Sequence, residues 1–202
     1  MSQLVFRYGV LSAGKSLALL TVNHNYESQG KKTIILKPSI DTRSQKGFVE
    51  SRIGVKAECL DIDKEFDIFN YIDDDNNDAS AILVDEAQFL TTEQVIGLRA
   101  VVDLLDIPVI CYGLRSTYKP NELFEGSQSL FFYADKIEEL KSVCMEEGCN
   151  KKAVMNLKLI NNKPIYSGNT ISIGDIEGEE RYLCVCSKHY HEAIYNIQRE
   201  VE

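Results

Sequence analysis

Three groups of residues in this 202-residue chain have the types and spacing to do chemistry. The first is Gly9-Val10-Leu11-Ser12-Ala13-Gly14-Lys15-Ser16, which fits G-x-x-x-x-G-K-[ST]. Its glycines let the backbone fold tightly enough for successive N–H groups to converge on phosphate oxygens, and a helix start behind them adds partial positive charge. Gly9, Val10, Leu11, Ser12, Ala13 and Gly14 are therefore candidate phosphate-cradling residues. Lys15 offers a charge for β- and γ-phosphates, and Ser16 a hydroxyl for the Mg²⁺ that bridges them. The second group is Ala81-Ile82-Leu83-Val84-Asp85-Glu86, an apolar run that delivers two carboxylates at its carboxyl end. There Asp85 can hold Mg²⁺ directly or through water, and Glu86, one residue further out, can act as a base toward an attacking group. Apolar runs ending in acids also occur at ordinary strand ends, and the glycine-rich loop is what gives this one a chemical reading. The third group is Cys144 and Cys149, spaced C-x4-C, with Cys186 and His189, spaced C-x2-H. Two close pairs separated by hairpin-like sequence describe a zinc ribbon, in which tetrahedral Zn²⁺ takes two ligands from each of two tight turns. Cys184 and His191 are rival ligands at two-residue offsets, and buried cysteines without metal are the plain alternative. Cys59 and Cys111 lie alone in apolar contexts and read as small core residues.

These residues need elements to position them. Leu4 to Tyr8 reads as a short buried strand before the loop, and Leu17 to Gln29 as the helix after it, stopped by Gly30. Thr33-Ile34-Ile35-Leu36 is the continuous apolar run of an internal parallel strand, which completes a βαβ unit. From Ile40 to Gly54 the chain turns polar and a long loop is expected; Glu65 to Tyr71 reads as a short helix and Asp73 to Asp78 as an acidic turn. Thr91 and Gln94 match a capping box, and Val95, Leu98, Val102 and Leu105 follow at helical spacing as a core face. Val109 to Gly113 is a further buried strand, with the polar stretch from Leu114 to Gln128 at its carboxyl end, where ligands sit in open α/β sheets. A last strand is expected between Asp135 and Val143. The fold class is α/β: a P-loop, RecA-like, mostly parallel sheet flanked by helices over 1–143, then a small zinc-ribbon and substrate-loop domain over 144–202.

Composition limits what such a chain can bind. Hydrophobic residues at 44% and charged ones at 26% allow a packed core. The net charge of −9 opposes association with nucleic acid or an anionic membrane, so neither is an expected partner. The chain opens into a strand without a basic and then apolar leader, and no stretch approaches the length of a membrane span, so a cytoplasmic protein is expected. Six cysteines in that setting imply reduced thiols, and hence metal ligation or burial in place of disulfides.

Beyond the three groups, the chain carries Lys37-Pro38-Ser39-Ile40-Asp41-Thr42-Arg43, Asp85-Glu86-Ala87-Gln88-Phe89, Tyr112-Gly113-Leu114-Arg115, Leu123-Phe124-Glu125-Gly126-Ser127 and Glu180-Arg181-Tyr182. With these the whole sequence resembles the thymidine kinases of the bacterial and cytosolic type, P-loop enzymes with a C-terminal zinc ribbon. The resemblance implies transfer of the ATP γ-phosphoryl to the 5′-hydroxyl of thymidine or deoxyuridine in nucleotide salvage, with Glu86 as base, Asp85 serving Mg²⁺ and Gln88 among the nucleotide-binding residues. It implies nucleoside contacts from Asp41, Arg43, Phe89, Leu114, Tyr118, Phe124, Ile173 and Tyr182, some of them through a loop that corresponds to Asn169 to Tyr182. It further implies a structural Zn²⁺, a homotetramer, and feedback inhibition by thymidine triphosphate (dTTP). The sequence departs from the family's pattern in its lengthened first cysteine pair and in an apparent insertion over Ile173 to Gly178. A RecA-like ATPase whose ribbon touches nucleic acid is the alternative from another class; a GTPase lacks its Asn-Lys-x-Asp motif.

Overall fold

The computed structural model describes residues 1–41, 45–76, 78–168 and 180–201. Two compact units emerge, neither continuous in sequence. The first takes Met1–Tyr8, Gly14–Leu114 and Phe124–Glu139; the second takes Gly9–Ala13, Arg115–Leu123 and Leu140–Glu202. The chain thus passes from the second unit to the first inside the glycine-rich loop, at the Ala13–Gly14 peptide.

The first unit runs β1 (Leu4–Gly9), α1 (Lys15–Glu27), β2 (Thr33–Pro38), β3 (Phe48–Glu50), β4 (Lys56–Glu58), β5 (Leu60–Ile62), α2 (Ile68–Asp75), β6 (Ala81–Val84), α3 (Thr92–Leu105), β7 (Val109–Leu114), α4 (Glu125–Tyr133) and β8 (Lys136–Leu140). Six strands form one sheet in the order β5-β2-β6-β7-β1-β8, and the β5-β2, β2-β6 and β6-β7 pairs are parallel. The apolar runs of β2 and β6 are buried throughout because both of their faces are covered, as a parallel sheet requires. Alternate residues share a face: Leu4, Phe6, Ile34, Leu36, Ile82, Val84, Val109 and Cys111 gather with Ile68 and Ile72 of α2, Val95, Leu98 and Val102 of α3, and Leu130 of α4. Helix α1 packs on β2, β6 and β7.

Several local expectations are corrected. The long loop from Ile40 to Gly54 is interrupted by an antiparallel pair, β3 with β4, joined by a turn in which the Ser51 N–H donates to the Val55 carbonyl and Gly54 takes φ 83°. The helix read over Glu65 to Tyr71 lies later, because the Asp67 side chain caps it by accepting from the Asn70 N–H; Asp73 to Asp75 are then its last turn and not part of a surface loop. The polar stretch from Leu114 to Gln128 yields to α4 at Glu125. The strand expected from Asp135 to Val143 breaks at Lys141 into two. The capping box at Thr91 and Gln94 is formed.

The second unit adds β9 (Ser142–Val143), β10 (Lys152–Ala153), β11 (Met155–Ile160), β12 (Lys163–Ile165), β13 (Glu180–Val185) and α5 (Ser187–Val201). β9 pairs antiparallel with β10, and β11 is the centre of an antiparallel β12-β11-β13 sheet. Asn161 and Asn162, both left-handed with φ 50° and 63°, make the two-residue turn between β11 and β12, a conformation asparagine tolerates better than most residues. Cys144, Leu157, Leu159, Val185, Cys186 and Tyr190 form a small core.

Candidate active site

In the first unit, α1 begins at Lys15, directly after Gly14, whose φ of 79° is strained for any residue with a side chain. The next residue, Ser16, donates its hydroxyl to Asp85 Oδ2 at 2.8 Å. Asp85 follows the last residue of β6 and is only 4% exposed. Its other oxygen, Oδ1, is buried and has no hydrogen-bond partner among the described residues. Burial first, and then the charge of Glu86, push the Asp85 carboxyl up to about 7, while the Ser16 hydrogen bond and the Lys15 charge act in the other direction. A carboxylate so placed calls for a cation, and a hard oxygen pair from Ser16 and Asp85 at a helix start suits Mg²⁺.

Glu86 adopts φ 49°, a left-handed conformation that costs a non-glycine residue ~1–3 kcal/mol and persists only where its surroundings impose it. The imposing contacts are visible. A 3₁₀ turn over Ala87–Phe89 follows, and the Gln88 amide donates to Glu86 Oε2 while its Oε1 accepts from the Leu114 N–H at 2.9 Å. A Cβ on Gly113 would lie 2.9 Å from that Oε1 and 3.0 Å from the Gln88 backbone nitrogen, so a side chain there would push on the Gln88 amide that orients Glu86. A Cβ on Gly126 would lie 2.4 Å from the Ala87 carbonyl oxygen, so α4 also approaches this turn only with glycine there. Ser127 Oγ then donates to the Leu114 carbonyl at 2.5 Å. Glu86 is thus held through Gln88, Leu114 and Ser127, drawn from three separate elements. Sequence reasoning assigned no role to Gly113, Gly126 or Ser127; the available signal was an isolated glycine at a strand end and another at a helix start.

Phe89 and Phe124 meet edge to face at 5.5 Å, both half-buried, and Leu114 is buried. Asp41 lies just past β2, where its N–H donates to the Pro38 carbonyl. Arg43 and Ile173 fall outside the described residues. Cys111 is core as expected. Cys59 is not: it is half-buried with its thiol 3.8 Å from Asp61 Oδ1, and burial raises the thiol to about 12.

In the second unit, Cys144, Cys149, Cys186 and His189 bring their ligand atoms within 4.8 Å of one another. The distances are 3.4 Å from Cys144 Sγ to His189 Nδ1, 3.5 Å from Cys186 Sγ to the same nitrogen, and 4.0 Å from Cys149 Sγ to Cys186 Sγ. A tetrahedron with zinc–sulfur bonds of about 2.3 Å has edges of ~3.8 Å, so three sulfurs and one imidazole nitrogen fit Zn²⁺. The rival ligands are turned elsewhere: Cys184 Sγ donates to the Leu11 carbonyl, and the His191 ring lies edge-on to Tyr190. Tyr118 and Tyr182 sit with ring centres 6.4 Å apart, and Lys158 Nζ lies 5.2 Å and 5.7 Å from their centres, 3.1 Å from Glu180 Oε2. The Tyr118 hydroxyl donates to the Ser167 carbonyl.

A glycine-lysine-serine loop bonded to the acid pair of a parallel-sheet unit, on a chain that also carries a three-cysteine, one-histidine cluster, defines a P-loop α/β protein with a zinc-ribbon-like unit. The sequence model of the family described as thymidine kinase matches residues 2–190. Thymidine kinases from Lactococcus lactis subsp. lactis (strain IL1403) and Lactiplantibacillus plantarum are each 46% identical over 190 residues, covering 94% of this chain and 97% and 96% of theirs. One from Streptococcus agalactiae serotype Ia is 45% identical over the same length, with 94% and 97% covered. The chain belongs to the thymidine kinase family. Among solved structures, the Pif1 helicase from Candida albicans is similar at a TM-score of 0.44 and 13% identity, over 73% of this chain and 37% of that one, too loose a likeness to bear on function. The reading as an ATPase acting on nucleic acid is not favoured.

Proposed function

We propose that this chain transfers the γ-phosphoryl group of ATP to the 5′-hydroxyl of thymidine or deoxyuridine. The observation that carries the reading is the Ser16–Asp85 hydrogen bond with the second Asp85 oxygen left over, because it joins the loop that would hold a triphosphate to the strand end that carries a base. The amides of Gly9 to Gly14 and the ammonium of Lys15 would hold the phosphates. Ser16 and Asp85 would hold Mg²⁺, which when bound neutralises charge across the β- and γ-phosphates. Glu86, oriented by Gln88, would take the proton of the 5′-hydroxyl as the new O–P bond forms, with no covalent enzyme intermediate. Phe89, Leu114 and Phe124 offer apolar surface suited to a flat base. Family resemblance supports nucleoside contacts from Asp41, Arg43, Tyr118, Ile173 and Tyr182, a structural zinc on Cys144, Cys149, Cys186 and His189, a homotetramer, inhibition by dTTP and a cytoplasmic setting.

Transfer of labelled phosphate from ATP onto a panel of nucleosides tests the reaction, and thymidine and deoxyuridine should be the acceptors. Glu86→Gln should retain ATP binding and lose roughly 10²- to 10⁴-fold in turnover, the range a positioned general base supplies. Unchanged turnover would remove Glu86 from that role.

A further inference from the structure

The first half of the glycine-rich loop is gripped by two side chains of the second unit. Within that unit the Leu11 N–H donates to Asn156 Oδ1 at 2.9 Å, and the Leu11 carbonyl accepts from Cys184 Sγ at 2.8 Å. Asn156 on β11 and Cys184 on β13 are direct cross-strand partners, and Cys184 Sγ lies 3.9 Å from the same Asn156 oxygen. They are 5% and 1% exposed. One buried pair therefore takes both backbone groups of a single loop residue. Val10 and Cys184 are buried together with Ala153, and Leu11 and Ala13 pack against them.

The next residue shows what the grip is for. Ser12 has φ 62°, a left-handed conformation that an L-residue keeps only when its neighbours over-determine it. The Ala13 N–H turns back to the Val10 carbonyl at 3.3 Å, and Gly14 follows at φ 79°. Left-handed residues at these two positions let the loop's N–H groups converge on one anion. With Leu11 released, Ser12 would relax to negative φ and the amides after it would diverge. Cys184 is also tied to the metal knuckle without ligating it: its N–H donates to Met145 Sδ and its carbonyl accepts from the Met145 N–H, next to Cys144.

We infer that Asn156 and Cys184 are positioning residues for the phosphate-binding loop: by fixing Leu11 from both sides they hold Ser12 in its strained conformation and keep the loop ready for nucleotide phosphate. The inference rests on reading Gly9 to Ser16 as the ATP phosphate loop; neither side chain is assigned a contact with the nucleotide.

The test measures equilibrium binding of ADP with magnesium, and separately of thymidine, to the full-length zinc-loaded chain. Cys184→Val and Asn156→Leu each remove a partner of Leu11 at similar volume, and each should raise the ADP dissociation constant roughly 5- to 30-fold with zinc content unchanged. Cys184→Val should leave thymidine binding unchanged. Cys184→Ser, whose hydroxyl can still donate, should restore most of the ADP affinity, which general damage to the ribbon would not permit. Wild-type ADP affinity in both the Val and Leu variants overturns the inference, as does a joint loss of ADP, thymidine and zinc. Amide hydrogen exchange on the unmutated chain gives a reading that does not depend on folding of variants: the Leu11 N–H should be protected, and exchange at the rate of an open chain overturns the grip. An unmutated chain that binds no ADP overturns the loop reading itself, a result distinct from normal wild-type binding with insensitive variants.

Discussion

Asp85 is a buried carboxylate with one oxygen bonded to Ser16 and the other without a hydrogen-bond partner among the described residues. Burial and the neighbouring Glu86 charge outweigh the hydrogen bonds from the Ser16 hydroxyl and the Glu86 backbone and the Lys15 charge, so such a group is a net cost to the folded chain until a further cation arrives. Asp85→Asn should therefore make the nucleotide-free, magnesium-free protein more stable, by ~1–3 kcal/mol, while abolishing the rise in stability that magnesium with ADP gives the parent. Thermal unfolding with and without magnesium and ADP checks this, and a less stable apo variant would show that the carboxylate is already compensated. At this scale the sequence is informative where the chemistry is contiguous: Gly9 to Ser16 and Asp85-Glu86 carry their proposed chemistry in their own spacing. Gln88 and the close approach of Gly113 and Gly126 to its turn are not legible in that way, because those contacts span 25 and 39 positions of the chain. Cys184 and Cys186 could not be separated by spacing either. In a continuing strand both thiols would share a face. β13 ends at Val185 and α5 starts at Ser187, so Cys186 joins His189 while Cys184 stays with the sheet.

Among the elements, β8 lies at the sheet's edge and is tied in by carboxylates. Asp135 accepts from the Arg99 guanidinium at 2.7 Å and from the Leu4 N–H at 2.7 Å, which hold its carboxyl below the usual range. Glu138 is lowered likewise, by Lys136 first and then by Arg7 at 2.6 Å. A carboxylate with a depressed folded pKa leaves the unfolded chain binding more protons as acid is added, so its stabilisation is whole above the ordinary pKa of about 4 and fades as the pH falls through the lower folded value. Both groups are about a third exposed, at 38% and 29%, so screening limits each to ~0.2–1 kcal/mol. In urea unfolding, Asp135→Asn should be less stable than the parent at pH 6, and the gap should close toward pH 2.5; a gap that persists in acid would assign the loss to something other than charge. β2 and β6 were legible as continuous apolar runs because both of their faces are buried, and α3 because burial of one face forces a helical spacing. α4 was not, since its buried side is made of Gly126, Ser127, Ser129 and Leu130, which read as a polar loop until Ala87 and Leu114 are brought alongside.

For the whole molecule, the two units differ in how they can be stabilised. The first has a large apolar core shared by strands and three helices, whereas the core of the second is small and two of its members, Cys144 and Cys186, are also candidate metal ligands. A change in composition after Val143 is visible in the sequence, but the packing of Gly9–Ala13 with the ribbon is not, since Leu11 meets Asn156 and Cys184 across 145 and 173 positions. A unit with so little apolar surface would draw much of its stability from a metal held by those ligands, the free energy of binding then being folding free energy. The intact protein should therefore contain about one zinc per chain. Stripping it with a strong chelator should speed amide exchange first in β11 and β13, while Leu83 and Leu98 in the first unit remain protected. The Leu11 N–H, although it lies in the opening residues of the chain, should lose protection together with β13 and not with β6, because its partners belong to the ribbon. Exchange rates unchanged by complete zinc removal would mean that the four ligands are core residues only. If instead the Leu11 amide stayed protected while β13 opened, the loop would be held by something other than Asn156 and Cys184.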